Sequence, residues 1–197
     1  IATGFKALAS NTTASHNTAV GGCALYANTT GCYNTASGYG SLKSNTTGSH
    51  NTAVGGAALR ANTTGVNTAM GYLALQVNTT GSVNTVIGRY AGATNTTGGS
   101  NVALGNAALY SNTTGSGNTA HGTCSLFANI SGSCNTAVGH MALKSATCAH
   151  YNTAVGGFAL CAATTGYYNT AVGMFSLDAL TTGYTNAALG QVSLSSL

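Results

Sequence analysis

Eight asparagines, Asn11, Asn28, Asn45, Asn62, Asn78, Asn95, Asn112 and Asn129, each open an N-x-[ST] triplet and recur at intervals of 17 residues, once 16. That triplet is the acceptor for N-linked sugar. The same spacing also suits a different chemistry, because asparagines stacked one above another on successive strands bond to each other through their amides. The two readings compete. The eighth triplet changes both followers, to Ile130 and Ser131, yet keeps the acceptor, which favours sugar. At Ala163 and Leu180 the asparagine is lost while Thr164, Thr165, Thr181 and Thr182 remain, which favours the ladder. A charged content of only 3% leaves hydration to some other group, and this tips the expectation toward covalent glycans, the only non-protein group foreseen; no cofactor or metal is expected.

The remaining reactive residues are sparse. Six cysteines, Cys23, Cys32, Cys124, Cys134, Cys148 and Cys161, suit an oxidising compartment and admit full pairing. Disulfides are expected, with Cys23–Cys32 and Cys134–Cys148 the least strained guesses; buried free thiols are the alternative. No C-x-x-C spacing supports zinc. Asp178 is the one acid in the chain, so no carboxylate pair can exchange protons, and a triad would depend on that single residue. His16 and His50 share a place in the repeat, but two coils at about 4.8 Å each put them too far apart for one metal ion. An enzyme is the least favoured class. Four more cations than acids, scattered along the chain, form no stripe for nucleic acid. No apolar run approaches the ~18 residues of a membrane helix, so no membrane insertion is expected.

The elements that must position these residues follow from one period. A copy can be written N-T-A-V-G-x-x-A-L-x-x-N-T-T-G-x-x, starting at Asn17 and recurring through Asn186, with only the copy from Asn51 one residue short, beside Gly65 and Val66. Glycine holds the fifth place in every copy, from Gly4 to Gly190. Such a period indicates coils that each touch only their neighbours. Glycine, threonine and asparagine disfavour helix. The expected fold is all-β, a single-chain β-solenoid of about twelve coils spanning 1–197, a window on a longer chain.

Strand alternation predicts an inward valine row (Val20, Val54, Met70, Ile87 and equivalents) with the preceding threonines on the same side, and a leucine ladder from Leu8 to Leu194. Gly92 interrupts the ladder, with Tyr90 expected to fill the gap. The small residues before each leucine, such as Ala24, Ser41 and Ala58, are expected to form a flat outer face.

The strings N-T-A-V-G-G-A-A-L (Asn51 to Leu59) and N-T-A-V-G-H-M-A-L (Asn135 to Leu143) resemble the repeats of bacteriophage tail-fibre shafts and, more loosely, the head repeats of trimeric autotransporter adhesins, whose parallel β-roll repeats a small-apolar-glycine strand. The resemblance covers essentially the whole chain. It implies a non-enzymatic, surface-displayed fibre, often trimeric. The longer copy, the cysteines and the extra N-T-T-G segment depart from the adhesin pattern and put the trimer in doubt.

Two regions differ in composition. Residues 1–134 carry the asparagine row, and 135–197 are sequon-free and aromatic-rich. Tyr151, Phe158, Tyr167, Tyr168, Phe175 and Tyr184 suggest a subunit contact there. The expected function is structural: the protomer or shaft of an extracellular, glycosylated filament, at the cell or virion surface, whose partner is itself through uncapped ends and lateral contacts. The alternative is a surface-binding solenoid, either ice-binding through its threonine pairs or adhesin-like.

Overall fold

A computed structural model describes residues 1–195; residues 196 and 197, the end of the 135–197 region, lie outside it. Twelve short strands run in chain order: β1 (Ala2–Thr3), β2 (Thr18–Val20), β3 (Thr35–Ser37), β4 (Thr52–Val54), β5 (Asn67–Met70), β6 (Asn84–Ile87), β7 (Val102–Leu104), β8 (Thr119–His121), β9 (Thr136–Val138), β10 (Thr153–Val155), β11 (Thr170–Val172) and β12 (Ala187–Leu189). All are parallel, and each pairs with its sequence neighbours in one 12-stranded sheet. Thr18 pairs with Thr35 and Thr35 with Thr52, whereas Thr52 pairs with Thr68, so the short copy still enters the sheet in register. The chain is a β-solenoid, and the described residues contain no helix. Coil-to-coil bonding continues off the sheet: Leu25 N–H donates to the Ser41 carbonyl (3.0 Å), Ala27 to Lys43 (3.0 Å) and Thr29 to Thr46 (2.9 Å).

The core differs from the expected one in a single, systematic way. From β2 onward each strand turns its alanine-row residue inward: Ala19, Ala36, Ala53 and their equivalents are buried, while Val20 is 43% exposed and Ile87 41%. The valine row and the threonines that flank the alanine therefore form the outer face of the sheet. The interior is too narrow for a β-branched row, because the leucine ladder fills it from the opposite side. From Leu25 to Leu177 those leucines are buried as expected; at the two ends Leu8 is half-buried and Leu194 exposed.

The small row is inside as well. Ala24, Ser41, Ala58 and Ala74 are buried next to Leu25, Leu42, Leu59 and Leu75, so consecutive residues both face the core. Strict alternation forbids that arrangement. A left-handed backbone at each leucine permits it, with φ of 50° at Leu25 and 55° at Leu109. This conformation costs about 1–2 kcal/mol per residue, and burying a leucine returns about 1.5–3 kcal/mol, so the core holds the turn.

At the fifth place only glycine fits. Gly21 has φ of 128°, and a Cβ there would sit 2.8 Å from the carbonyl carbon and oxygen of Gly38 in the next coil. Coils thus stack backbone on backbone at this corner. The last place of a copy is also left-handed, as at Tyr33 (φ 59°), His50 (φ 60°) and Val83 (φ 62°). The copy from Asn51 lacks this corner residue, and Asn67 follows Val66 directly.

Candidate functional site

The asparagines expected to carry sugar are interior. Asn28, Asn45, Asn62, Asn78, Asn95, Asn112 and Asn129 are buried, and only Asn11, in the first coil, is exposed. Asn45 Nδ2 donates to Asn28 Oδ1 (2.9 Å) and to the Gly48 carbonyl (2.8 Å); Asn112 Nδ2 donates to Asn95 Oδ1 (2.6 Å) and to the Gly115 carbonyl (2.9 Å). A glycan would have to leave through the packed coil and would remove a donor hydrogen from a bonded amide. The folded coil corrects the glycan expectation at these buried sites, and the amide ladder takes its place.

A second ladder runs beside it, built from the asparagines that open each copy. Asn34 N–H donates to Asn17 Oδ1 (2.8 Å), Asn51 N–H to Asn34 Oδ1 (2.9 Å), and Asn34 Nδ2 to the Gly48 carbonyl (2.8 Å). Both ladders therefore clasp one row of glycine carbonyls. Sequence reasoning missed this second row. Its signal was that the opening asparagine occurs in every copy, Asn17 to Asn186, whereas the N-x-[ST] row stops after Asn129. Where that row stops, at Ala146, Asn129 Oδ1 is left buried without a donor.

Threonines divide by role. In most N-T-T-G segments the first hydroxyl donates to a carbonyl of the next coil, as Thr29 Oγ1 to the Thr46 carbonyl (3.1 Å) and Thr96 Oγ1 to the Thr113 carbonyl (2.9 Å). On the sheet the hydroxyls of Thr18, Thr35, Thr52, Thr136, Thr153 and Thr170 make no hydrogen bond within the described residues.

Cys23, Cys32, Cys124, Cys134, Cys148 and Cys161 are all free, so the expected pairings are not formed. Each occupies its own place around the coil except Cys23 and Cys124, which share one but lie six coils apart, about 29 Å and far beyond disulfide reach. Cys148 Sγ accepts from Ser131 Oγ (3.2 Å). Burial, and next Asp178 beside it, push the Cys161 thiol up, partly opposed by Lys144.

The aromatic candidates separate into two ladders at opposite ends of the strands. Tyr151 stacks on Tyr168 (5.0 Å) and Tyr167 on Tyr184 (5.3 Å), forming one exposed corner. Phe158 stacks on Phe175 (5.0 Å) beyond the glycine corner. The six are therefore not one patch. Tyr90 does not fill the gap at Gly92; it lies at the surface against Arg89, 4.2 Å from guanidinium carbon to ring. No group of three His, Cys, Asp or Glu able to hold a metal ion occurs among the described residues, and Tyr33 stands between His16 and His50.

No family model, curated protein or solved structure matches this chain.

Proposed function

We propose that the chain is a non-catalytic structural shaft, a β-solenoid that serves as the rod or protomer of a surface-displayed filament. The observation that carries this reading is the unbroken axial register. The sheet pairing runs without a break from β1 to β12, and among the described residues each of those two strands has a single strand partner. The surface that one coil offers the next is the surface the two edges would offer each other. A head-to-tail contact of that kind does not close on itself, and it propagates as a filament. Unpaired parallel edges are strong templates for pairing. With only Asp178 and five cations in the chain, little charge opposes association.

Extracellular or virion-surface placement belongs to the proposal through the tail-fibre resemblance. The exposed tyrosine corner of Tyr151, Tyr167, Tyr168 and Tyr184 supplies a lateral contact. A glycan coat on the buried asparagine row is no part of it. Negative-stain electron microscopy of the purified chain over a concentration series tests the reading. Thin rods that lengthen with concentration are expected, and short particles of fixed length at all concentrations overturn it.

A second reading has its own support in the sheet face, a regular uncharged array in which unbonded threonine hydroxyls alternate with apolar side chains. That array suits ordered water, so ice binding would use the strand threonines and not the Thr-Thr pairs of the N-T-T-G segments. Inhibition of ice recrystallisation that is lost in a Thr153→Lys variant supports it; no inhibition by the parent chain removes it.

A further inference from the structure

One place on this periodic surface is not periodic. The corner residues form an axial column, in which His16 stacks on Tyr33 (4.7 Å between centroids, 9° between planes) and Tyr33 on His50 (5.0 Å, 5°). The next coil is the short copy, and it has no corner residue. The column resumes at Val83, so His50 shows one ring face to Tyr33 and the other to a notch. This notch has a volume of about 190 Å³, and His50, Val66, Thr68, Val83 and Thr85 are among the residues that line it.

The neighbouring coils absorb the defect without filling it. In most other coils the opening asparagine donates to a glycine carbonyl farther along its own copy, but Asn51 Nδ2 turns to Asn34 Oδ1 (3.1 Å) and to the Ser49 carbonyl (3.3 Å). Asn67 Nδ2 takes up an added bond to Asn62 Oδ1 (3.2 Å). The backbone stays paired across the step, with Val83 N–H donating to the Val66 carbonyl (2.7 Å). The notch is a built surface feature, with its buried polar groups satisfied beneath it.

We propose that this notch binds one uncharged planar aromatic ring that carries a hydroxyl or N–H group, stacked on His50. The protein contains the geometry of the complex: Tyr33 already lies between His16 and His50 with one ring on each side. Two coil steps separate His50 from Val83, about 9.6 Å, which leaves room for one ring at van der Waals distance from both. The volume suits a single ring, since a cavity of about 150 Å³ accepts benzene. Val66 and Val83 supply apolar walls. The hydroxyls of Thr68 and Thr85, unbonded within the described residues, can meet the ring's polar substituent. The ring can come from a free phenol-like molecule or from a tyrosine of another copy.

Phenol, titrated into the labelled chain and followed by NMR, tests the assignment. Saturable shifts at His50, Val66 and Val83, with a dissociation constant in the millimolar range, are expected. Insertion of one glycine between Val66 and Asn67 restores the full copy and should abolish them. His50→Asn keeps a residue that tolerates the left-handed corner and should weaken binding at least about five-fold, so the test survives misfolding of the insertion variant. Concentration-dependent shifts at the same residues without phenol, absent from the insertion variant, support the proposal with another copy's tyrosine as the source. Shifts spread evenly over all tyrosine and valine corners, or a response unchanged by both variants, overturn it.

Discussion

Val86 and Gly92 exchange volume within one coil. Gly92 is the only interruption of the leucine ladder, and Val86 is the only β-branched residue in the inward alanine row. A Cβ at Gly92 would lie 3.7 Å from both Val86 methyls and 3.1 Å from Leu75 Cδ2, so the valine occupies the space the leucine vacates. Val86→Ala should cost about 2 kcal/mol as an unfilled cavity, and Gly92→Leu alone about 1–3 kcal/mol as overpacking. The double variant restores the ordinary coil and should approach wild-type stability, with a coupling above about 1 kcal/mol in denaturant unfolding. Additive losses would show that the two sites do not share space.

Left-handed corners make two glycine substitutions of opposite sign. Ser100 is exposed with φ of 56°, in the place where the next copy has Gly117 at φ of 68°. Relief of strain exceeds the entropy glycine adds to the unfolded chain, so Ser100→Gly should stabilise by about 0.5–1 kcal/mol. Gly105 has φ of 137°, and a Cβ would lie 2.7 Å from the Gly122 carbonyl carbon and oxygen. Gly105→Ala should therefore cost about 3 kcal/mol or more. Thermal melts of the two variants should move in opposite directions.

The period made the fold legible because every coil repeats the same contacts, and the pairing of Thr18 with Thr35 shows that residues 17 apart are neighbours. The inward face was not legible from alternation. A three-residue strand such as β2 offers two phases, and the choice between Ala19 and Val20 depends on interior width, which the period does not encode. The left-handed leucines hid the small row for the same reason: Ala24 and Leu25 both point inward only after φ changes sign. The asparagine readings split on burial, which a triplet cannot report. The notch beside His50 was present in the sequence only as a missing residue.

The amide ladder should be costly to cut. Asn112 donates to Asn95 Oδ1 and the Gly115 carbonyl and accepts from Asn129 Nδ2 (2.7 Å), all in the interior. Asn112→Ala leaves Asn95 Oδ1 without a donor and one Asn129 N–H without an acceptor, while the Gly115 carbonyl keeps Asn101 Nδ2; each unsatisfied group costs about 1–3 kcal/mol, so it should rank among the most damaging single changes. Tyr110→Ser, on the outer surface two places earlier, removes a ring stacked on Phe127 (5.2 Å) and edge-on to Tyr90 (6.3 Å) and should cost under about 1.5 kcal/mol. Chemical denaturation midpoints of the pair check the contrast. Intact mass from a glycosylating host reports separately on the buried row, where no added hexose is expected on Asn28 to Asn129.

Six free thiols give a direct measurement. Alkylation in denaturant without reductant should add six labels, and fewer would reveal disulfides. On the folded chain Cys134 and Cys148 are exposed and should react first. Cys161 should lag, because burial and then Asp178 hold its proton on more tightly than the unfolded chain does. The sign for stability follows. A thiol whose folded pKa is raised stabilises the fold fully below its ordinary value of 9.0, and this contribution is lost as pH rises through the higher folded value. Stability should therefore decline above pH 9.0 in the parent chain, and the decline should be smaller in Cys161→Ser. An unchanged alkaline profile in the variant would assign the loss to other groups.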